Sequence, residues 1–245
     1  MKIQTVFKRY ELKYMLTEED LDCIKAVIAE RMLPDEYGNT VIRNLYFDTA
    51  SYRLIRRSID KPPYKEKLRI RSYHRTEPTD TVFVELKKKY KHVVYKRRLP
   101  LEEADATRWL SGEPFCGKSS QISREIDYFL NFYGELRPRV FLSYEREAYY
   151  GREEGDLRIT FDRNVLARLT DLTLDSEVYG EPLLCEGRIL MEVKCAGGLP
   201  LWLTHVLSER KIYKTSFSKY GTAYEKLIYP TLSGKITDKE QFYVD

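Results

Sequence analysis

The sequence predicts an α+β fold built on an antiparallel sheet, with helices packed outside it. Three observations predict it. Stretches in which charged and apolar residues alternate at a two-residue period recur along most of the 245 residues, and that period marks strands, whose successive side chains point to opposite faces. Twenty tyrosines add a residue type that favours strands. The alternating stretches follow one another as hairpin-like neighbours, and the helical patterns fall between groups of strands rather than after each one, as an antiparallel sheet requires.

The elements follow in order. A strand is predicted over 8–15 and a helix over 18–32. Thr17 stands at the N-cap position of that helix with Asp20 three residues on, in a capping-box arrangement. Leu21, Ile24 and Ile28 recur at helical spacing as its core stripe. A strand over 41–48 and a short helix over 51–59 come next. Strands follow over 64–74 and 81–89, the second turning near His92 into 93–99. Helices are predicted over 101–110 and 120–133, strands over 138–149, 157–168 and 188–195, and helices over 201–209 and about 220–228. Nothing rich in Pro, Gly or Ser divides the chain, so residues 1–232 read as one domain and 233–245 as a polar tail.

Composition narrows the class. Lys and Arg total 42 against 38 Asp and Glu, and 42% of residues are hydrophobic, a balance that supports a folded core rather than disorder. No apolar run is long enough to span a bilayer. The opening residues, MKIQTVFKRYELKYM, carry no leader pattern. The cysteines, Cys23, Cys116, Cys185 and Cys195, lie far apart without CxxC spacing, which points to neither a zinc site nor a disulfide framework and suits a reducing compartment. The expectation is a cytoplasmic protein.

The informative feature is what the strands alternate. Lys67, Arg69 and Arg71 share one face, with Leu68 and Ile70 on the other. Glu85 and Lys87 oppose Val84 and Leu86. Lys96 and Arg98 share a face. Arg158, Thr160 and Asp162 oppose Leu157, Ile159 and Phe161. Glu192 and Lys194 oppose Met191, Val193 and Cys195. Glu11 and Lys13 alternate with Tyr10, Leu12 and Tyr14, and Tyr144 and Arg146 share a parity. One face of the sheet is therefore dense in cations, with a few carboxylates among them. Two cations at i and i+2 stand roughly 7 Å apart, and at an effective dielectric near 20 such a pair costs about 2 kcal/mol. Several strands of this pattern call for counter-charge. A chain of phosphates supplies it: Arg offers planar two-pronged donors and Lys point charges. The carboxylates suit a divalent cation that also takes phosphate oxygens. A polyphosphate or nucleoside-triphosphate site is the chemistry to which the pattern points.

These stretches resemble a known family. FKRYELKY, NLYFDT, KLRIRSY, VFVELKKK, YKRRL, SYEREAY, LRITFD, MEVK and FSKY, in this order from about Phe7 to Tyr229, are similar to the polyphosphate polymerase domain, the catalytic domain of the vacuolar transporter chaperone complex, which belongs to the triphosphate tunnel metalloenzymes. The resemblance implies an antiparallel β-barrel tunnel with a basic interior. It implies phosphate-holding roles for Lys13, Lys67, Arg69, Arg71, Lys87, Lys96, Arg98, Arg146, Arg158 and Lys194, with the four arginines Arg69, Arg71, Arg146 and Arg158 clamping the triphosphate. Ser218 and Lys219 of FSKY would grip phosphate at the tunnel end. Glu192, with Glu11, would bind a divalent metal, Mn²⁺ or Mg²⁺. The implied activity is transfer of the γ-phosphate of ATP onto inorganic polyphosphate, with release of ADP, and a membrane partner, if one exists, is a separate chain. A triphosphatase working in the same tunnel and a non-catalytic polyphosphate-binding module are the alternatives. Two departures bear on them. Ser216 stands where the family often has Lys before FSK, and Arg9 replaces the first acid of the superfamily's ExExK signature, which leaves Glu11 alone. The second weakens a reading as a plain triphosphatase or adenylate cyclase.

Other signals carry less. Gly112 to Ser119 fits the P-loop spacing GxxxxGK[ST], but a helical segment rather than a buried strand precedes it, and Pro114 removes an N–H that a phosphate cradle needs. The run 87–98 interleaves cations with aromatics, as a nucleic-acid surface does, yet strand parity turns many of these cations inward. No nucleic-acid partner is expected. His74, His92 and His205 are isolated, and no Ser/His/Asp or Cys/His arrangement stands out.

Overall fold

A computed structural model describes residues 10–91, 93–153 and 156–234. Ten strands form one antiparallel sheet. They are β1 (Tyr10–Leu16), β2 (Met32–Pro34), β3 (Thr40–Asp48), β4 (Tyr64–Ser72), β5 (Thr81–Tyr90), β6 (Val93–Glu102), β7 (Arg137–Gly151), β8 (Arg158–Arg168), β9 (Glu181–Pro182) and β10 (Ile189–Cys195). The order along the main path is β1-β10-β8-β7-β3-β4-β5-β6, with β2 against β7 and β9 against β8. The helices are α1 (Glu18–Arg31), α2 (Arg53–Ile59), α3 (Glu103–Leu110), α4 (Gln121–Tyr133), α5 (Leu201–Glu209), α6 (Lys219–Ala223) and α7 (Tyr229–Leu232), the last two joined by a π-helical turn over Tyr224–Ile228. The capping box at Thr17 and Asp20 is formed in both directions, and Leu21, Ile24 and Ile28 are buried. The two short strands, β2 and β9, have no counterpart in the sequence reading. The start of the first strand (Lys8 and Arg9), His92 and the tail beyond 234 lie outside the described residues.

Alternation turns the apolar face of β4, β5, β8 and β10 outward, against helices. Met191, Val193, Ile159 and Phe161 pack under α1 and α5. Leu68, Ile70, Val84 and Leu86 pack under α3 and α4, where Trp109, Ile126 and Phe129 complete the layer. Burial of these side chains supplies the main stabilisation, roughly 1.5–3 kcal/mol each. The cysteines are free thiols.

Two expectations need correction. The barrel is not closed: among the described residues β1 and β6 are the two ends of the path and do not pair. Alternation fixes which face a side chain takes and says nothing about which edges meet, so closure was not legible in it. The sheet instead coils, helped by register shifts at Tyr46/Phe47 and Ser143/Glu145, where extra residues tighten the twist. The gap is bridged by side chains and by a strap. Lys87 of β5 reaches Glu11 of β1 at 3.4 Å. The segment before α6 runs along β1, with Tyr14 bridged to Lys214 and the Thr215 N–H donating to the Lys13 carbonyl at 2.8 Å. Nor do all the helices lie outside. Tyr220 of α6 stacks on Tyr46 at 4.7 Å, and Tyr46 shares the face of Arg69. Thus α6 sits on the charged, concave side, where Ile42, Leu142, Tyr144 and Ala223 fill one end with an apolar plug.

Candidate phosphate-binding site

Register turns the alternating cations into cross-strand rows. Arg69, Glu85 and Arg98 are direct neighbours across β4, β5 and β6, and the next row is Lys67, Lys87 and Lys96. On the other wall Lys13 and Glu192 are paired with Thr160, and Glu11 and Lys194 are paired with Arg158. The strap carries Ser218 and Lys219 between the two walls.

Two buried acids organise the cations. Glu85 is 1% exposed. Its Oε2 accepts from Arg69 Nε at 2.9 Å and NH2 at 2.7 Å, and its Oε1 takes Arg98 Nε at 2.8 Å and Lys96 Nζ at 2.7 Å. Arg71 stands 3.7 Å away. Burial opposes ionisation of Glu85, but Arg69, Arg71 and Lys96 outweigh it and hold the carboxyl far below the usual range. Arg69 is fixed further by the Tyr46 hydroxyl at 2.8 Å, and Arg71 by Asn44 Oδ1 at 3.1 Å. The second centre is Asp162 with Glu192. Arg146 grips Asp162 with both prongs, at 2.6 and 2.7 Å. Lys219 bonds Asp162 and reaches Glu192 at 3.2 Å. Lys13, Arg146 and Lys194 approach Glu192 at 3.3, 3.4 and 4.0 Å. Burial again opposes charge on Glu192, and Lys219, Lys13 and Arg146 keep it ionised well below the ordinary range. Tyr144 lies between the centres, within 3.4 Å of Arg71 NH2 and with Lys219 over its ring at 4.5 Å. Burial would raise its hydroxyl, but Arg71, Arg146 and Lys219 bring it down to about 8.

The lysine row between the centres is under-compensated. Like charges placed directly opposite on neighbouring strands repel. Among the described residues Lys67 meets no carboxylate; its Nζ bonds the Ser218 hydroxyl at 3.1 Å. Burial, then Lys87, Lys13, Lys65 and Arg69, push it down to about 7. Burial also lowers Lys96, only partly offset by Glu85, to about 8, and Lys194, only partly offset by Glu192, to about 8. Glu11 is held at about 2 by Lys87, Lys13 and Lys194 against the effect of burial and of Glu192.

The sequence-predicted residues are therefore on one concave surface, though not all at one point. Arg69 and Arg71 stand at Glu85, and Arg146 at Asp162. Arg158 turns to the rim, 3.3 Å from Asp35 and over the Tyr150 ring at 4.8 Å. Lys219 is engaged by the acid pair, and Ser218 caps α6 by accepting from the Gly221 N–H at 3.2 Å. Lys13 also donates to the Phe217 carbonyl at 2.8 Å. Ser216 and Lys214 are exposed. The sequence reading did not single out Glu85 and Asp162 as organising acids. Both lie on the charged parity, but only register shows that each meets several cations. Asn44 and Tyr46 carried no sequence signal. The P-loop-like segment is the connection between α3 and α4. Of the 87–98 run, the outward Lys88 and Arg97 pair with Glu125 of α4 at 3.8 and 3.0 Å.

Among the described residues no three His, Cys, Asp or Glu side chains group closely enough to hold a metal ion. Glu11 and Glu192 do both lie on Lys13, at 3.5 and 3.3 Å. The buried Thr160 hydroxyl opposite Glu192 has no hydrogen-bond partner. This donor set suits a hard divalent cation that takes one or two carboxylates and completes its shell with water and phosphate oxygens, not a cage made by protein alone.

Residues 8–228 match the family model of the VTC domain. The chain belongs to the VTC domain family. Searched against curated protein sequences, this VTC domain has no match. Among solved structures it is similar to a Bacillus halodurans protein provisionally described as an adenylate cyclase, with a TM-score of 0.54 and 15% identity over 87% of this chain and 94% of that one. That likeness shows a shared fold. A Vibrio parahaemolyticus protein with the same provisional description follows, with a TM-score of 0.46 and 11% identity over 89% of this chain and 98% of that one. The VTC domain's described residues include no helix long and apolar enough to cross a membrane.

Proposed function

We propose that this VTC domain is a metal-dependent, cytoplasmic polyphosphate polymerase that transfers the γ-phosphate of ATP onto inorganic polyphosphate and releases ADP. One observation carries the reading. The concave face holds a row of three facing lysines, Lys67, Lys87 and Lys96, whose charge the nearby acids only partly balance, and this row runs between two buried arginine–carboxylate centres. A polyanion completes such a surface.

The chemistry asked of the protein is positioning and charge neutralisation. A terminal oxygen of the polyphosphate attacks the γ-phosphorus of ATP. The new P–O bond forms as the bond from that phosphorus to the β-phosphate bridging oxygen breaks, and ADP leaves with the electron pair. The attacking oxygen is already anionic, so no general base is needed. Arg69 and Arg71, held in place by Glu85, Tyr46 and Asn44, present fixed guanidinium groups to phosphate oxygens. Lys67, Lys87 and Lys96 line the path of the chain, with Lys13, Arg98, Lys194 and the rim residue Arg158 around it. Arg146 and Lys219 keep Glu192 ionised and oriented. Glu192, with Glu11 beside it, would hold a divalent ion, Mn²⁺ or Mg²⁺, which would supply further neutralisation of phosphate charge.

The test is incubation of the purified protein with ATP and Mn²⁺, with polymer resolved on a gel and ADP and free phosphate measured in parallel. A polymer ladder with matching ADP, lost in Arg69→Ala and Glu192→Gln proteins that still fold, is the expected result. Free phosphate without polymer would replace this reading with a triphosphatase. No turnover, with polyphosphate still raising the melting temperature, would replace it with a binding module.

A further inference from the structure

The facing lysines continue past Lys67, Lys87 and Lys96. One step further along the strands, towards the β5–β6 turn, Lys65 of β4 stands directly opposite Lys89 of β5, and Val94 of β6 completes the row. Positions two apart on a strand share a face, so Lys65 and Lys89 lie on the concave side with Lys67 and Lys87, roughly 7 Å beyond them. Both are half-buried and reach solvent. Lys65 gives one hydrogen to the Ser58 carbonyl in the last turn of α2, at 3.1 Å, which leaves two of its three donors open. Lys89 makes no hydrogen bond or ion pair with the described residues. Burial, then Lys89, Lys61 and Lys87, push Lys65 below its ordinary value, and no carboxylate is among the groups that act on it.

The outer side of the same strands shows what a balanced cation surface looks like. There Glu66 faces Lys88, and Lys88 and Arg97 both pair with Glu125 of α4. On the concave side Lys65 faces Lys89 with no acid between them, and like charges placed opposite repel. The unbalanced cations also run on in one direction only. Beyond Arg69, Glu85 and Arg98 the next row is Arg71, Phe83 and Pro100. In it Arg71 is held by Asn44, and the Phe83 ring lies under the Arg98 guanidinium at 4.0 Å.

The composition of the outer row selects its ligand. It presents two ammonium point charges and an aliphatic side chain, and the nearby tyrosines, Tyr64, Tyr90 and Tyr95, take the other parity. A single-stranded nucleic acid is held by rings on which its bases stack. A bare chain of phosphates needs charge alone, which lysine supplies without fixed geometry. We propose, on the reading of the lysine row as a polyphosphate site, that Lys65 and Lys89 form an outer subsite that holds the further phosphates of a long inorganic polyphosphate chain. A chain that fits within the inner rows does not reach this subsite. A longer one does, and it leaves the concave face beside the β5–β6 turn.

Calorimetric titration of the full chain with inorganic tripolyphosphate and with long-chain inorganic polyphosphate reads the subsite as a ratio of affinities. The long-to-short ratio should fall by about threefold in Lys89→Gln and by about tenfold in the Lys65→Gln/Lys89→Gln protein. Lys89→Gln carries the test by itself should loss of the Ser58 contact unfold the double variant. A ratio equal in wild type and variants, with both chains still bound, would overturn the outer subsite and leave the polyphosphate reading standing. Wild type that binds neither chain would overturn that reading and the subsite with it. A single-stranded oligonucleotide that displaces long-chain polyphosphate from wild type, and is itself weakened in Lys89→Gln, would overturn the assignment to a bare phosphate chain.

Discussion

Glu85 is the side chain whose removal tests the electrostatic argument most directly. It is buried against Arg69, Arg71, Lys96 and Arg98, with nitrogen–oxygen distances from 2.7 to 3.7 Å. At an effective dielectric of 20, a unit-charge contact near 4 Å is worth about 4 kcal/mol before desolvation is counted. Lys96 and Arg98 are more than one-third exposed or nearly so, and solvent screens their share. The buried Arg69 and Arg71 dominate. Breaking a buried ion pair from one side costs roughly 3–5 kcal/mol, because the remaining charges stay buried without a partner. Glu85→Gln keeps the shape and one acceptor oxygen, so the loss belongs to the charge. For a chain of this size it corresponds to a fall in melting temperature of roughly 6–20 °C. The same substitution frees the arginines for phosphate. Tripolyphosphate, which binds the folded protein and stabilises it by mass action, should then raise the melting temperature of Glu85→Gln by more than it raises that of wild type. Thermal melts followed by circular dichroism, with and without tripolyphosphate, measure both quantities. A variant that melts with wild type and gains the same increment from tripolyphosphate would refute the view that one buried acid holds these cations in place.

Other outcomes follow from the same geometry. Lys67 is lowered to about 7 in the folded protein, well below its ordinary value, so between that pH and about 10 the unfolded chain binds more protons and stability of the free protein should rise with pH; chemical denaturation at pH 7, 8 and 9 reads the slope, and Lys67→Met should reduce it. Binding of a polyanion recharges Lys67, so tripolyphosphate binding at pH 8 should take up protons, seen in calorimetry as a dependence on buffer ionisation enthalpy that Lys67→Met diminishes. Thr17→Ala removes the reciprocal cap of α1 and should cost about 1 kcal/mol in urea unfolding, with tripolyphosphate binding unchanged. Gly180 has φ +147°, and a Cβ there would lie 2.5 Å from the Ala167 carbonyl oxygen, so Gly180→Ala should destabilise by roughly 1–3 kcal/mol, visible as a shift of the urea midpoint.

The alternation of charge was enough to place the cations of β1, β4, β5, β6, β8 and β10 on one face, because the period of a strand is fixed by its covalent geometry. The helices were legible from local signals of their own, such as the Thr17 cap, which acts within three residues. What alternation could not supply is anything that depends on which strand lies beside which. Glu85 meets Arg69 only because β4 and β5 pair in one particular register. A slip of one residue would send Glu85 to the outer face among Leu68 and Ile70. Asp162 meets Lys219 only because α6 enters the concave side, a placement set by the fit of Tyr220 between Tyr46 and Asp48. The edge that stays unpaired and the strap that spans it are likewise tertiary facts.

This distinction changes the physical argument for a polyanion. Repulsion between cations at i and i+2 reads, in one dimension, as a demand for external counter-charge. In three dimensions much of that demand is met from within, by Glu85 for the arginines of β4 and by Asp162 and Glu192 for Arg146 and Lys219. The cations around these buried acids hold them ionised, so acid and cation balance one another within the fold. The residue that keeps the demand open is Lys67, which faces Lys87 directly and, among the described residues, has the Ser218 hydroxyl and the Tyr220 ring for partners but no carboxylate. A surface designed solely for folding would place an acid in that row. Glu11 and Glu85 reach Lys87 and Lys96 from neighbouring rows, whereas Lys67, facing Lys87, relieves its cost by shedding its proton near pH 7, and it is this proton that a polyanion bound along the row would restore.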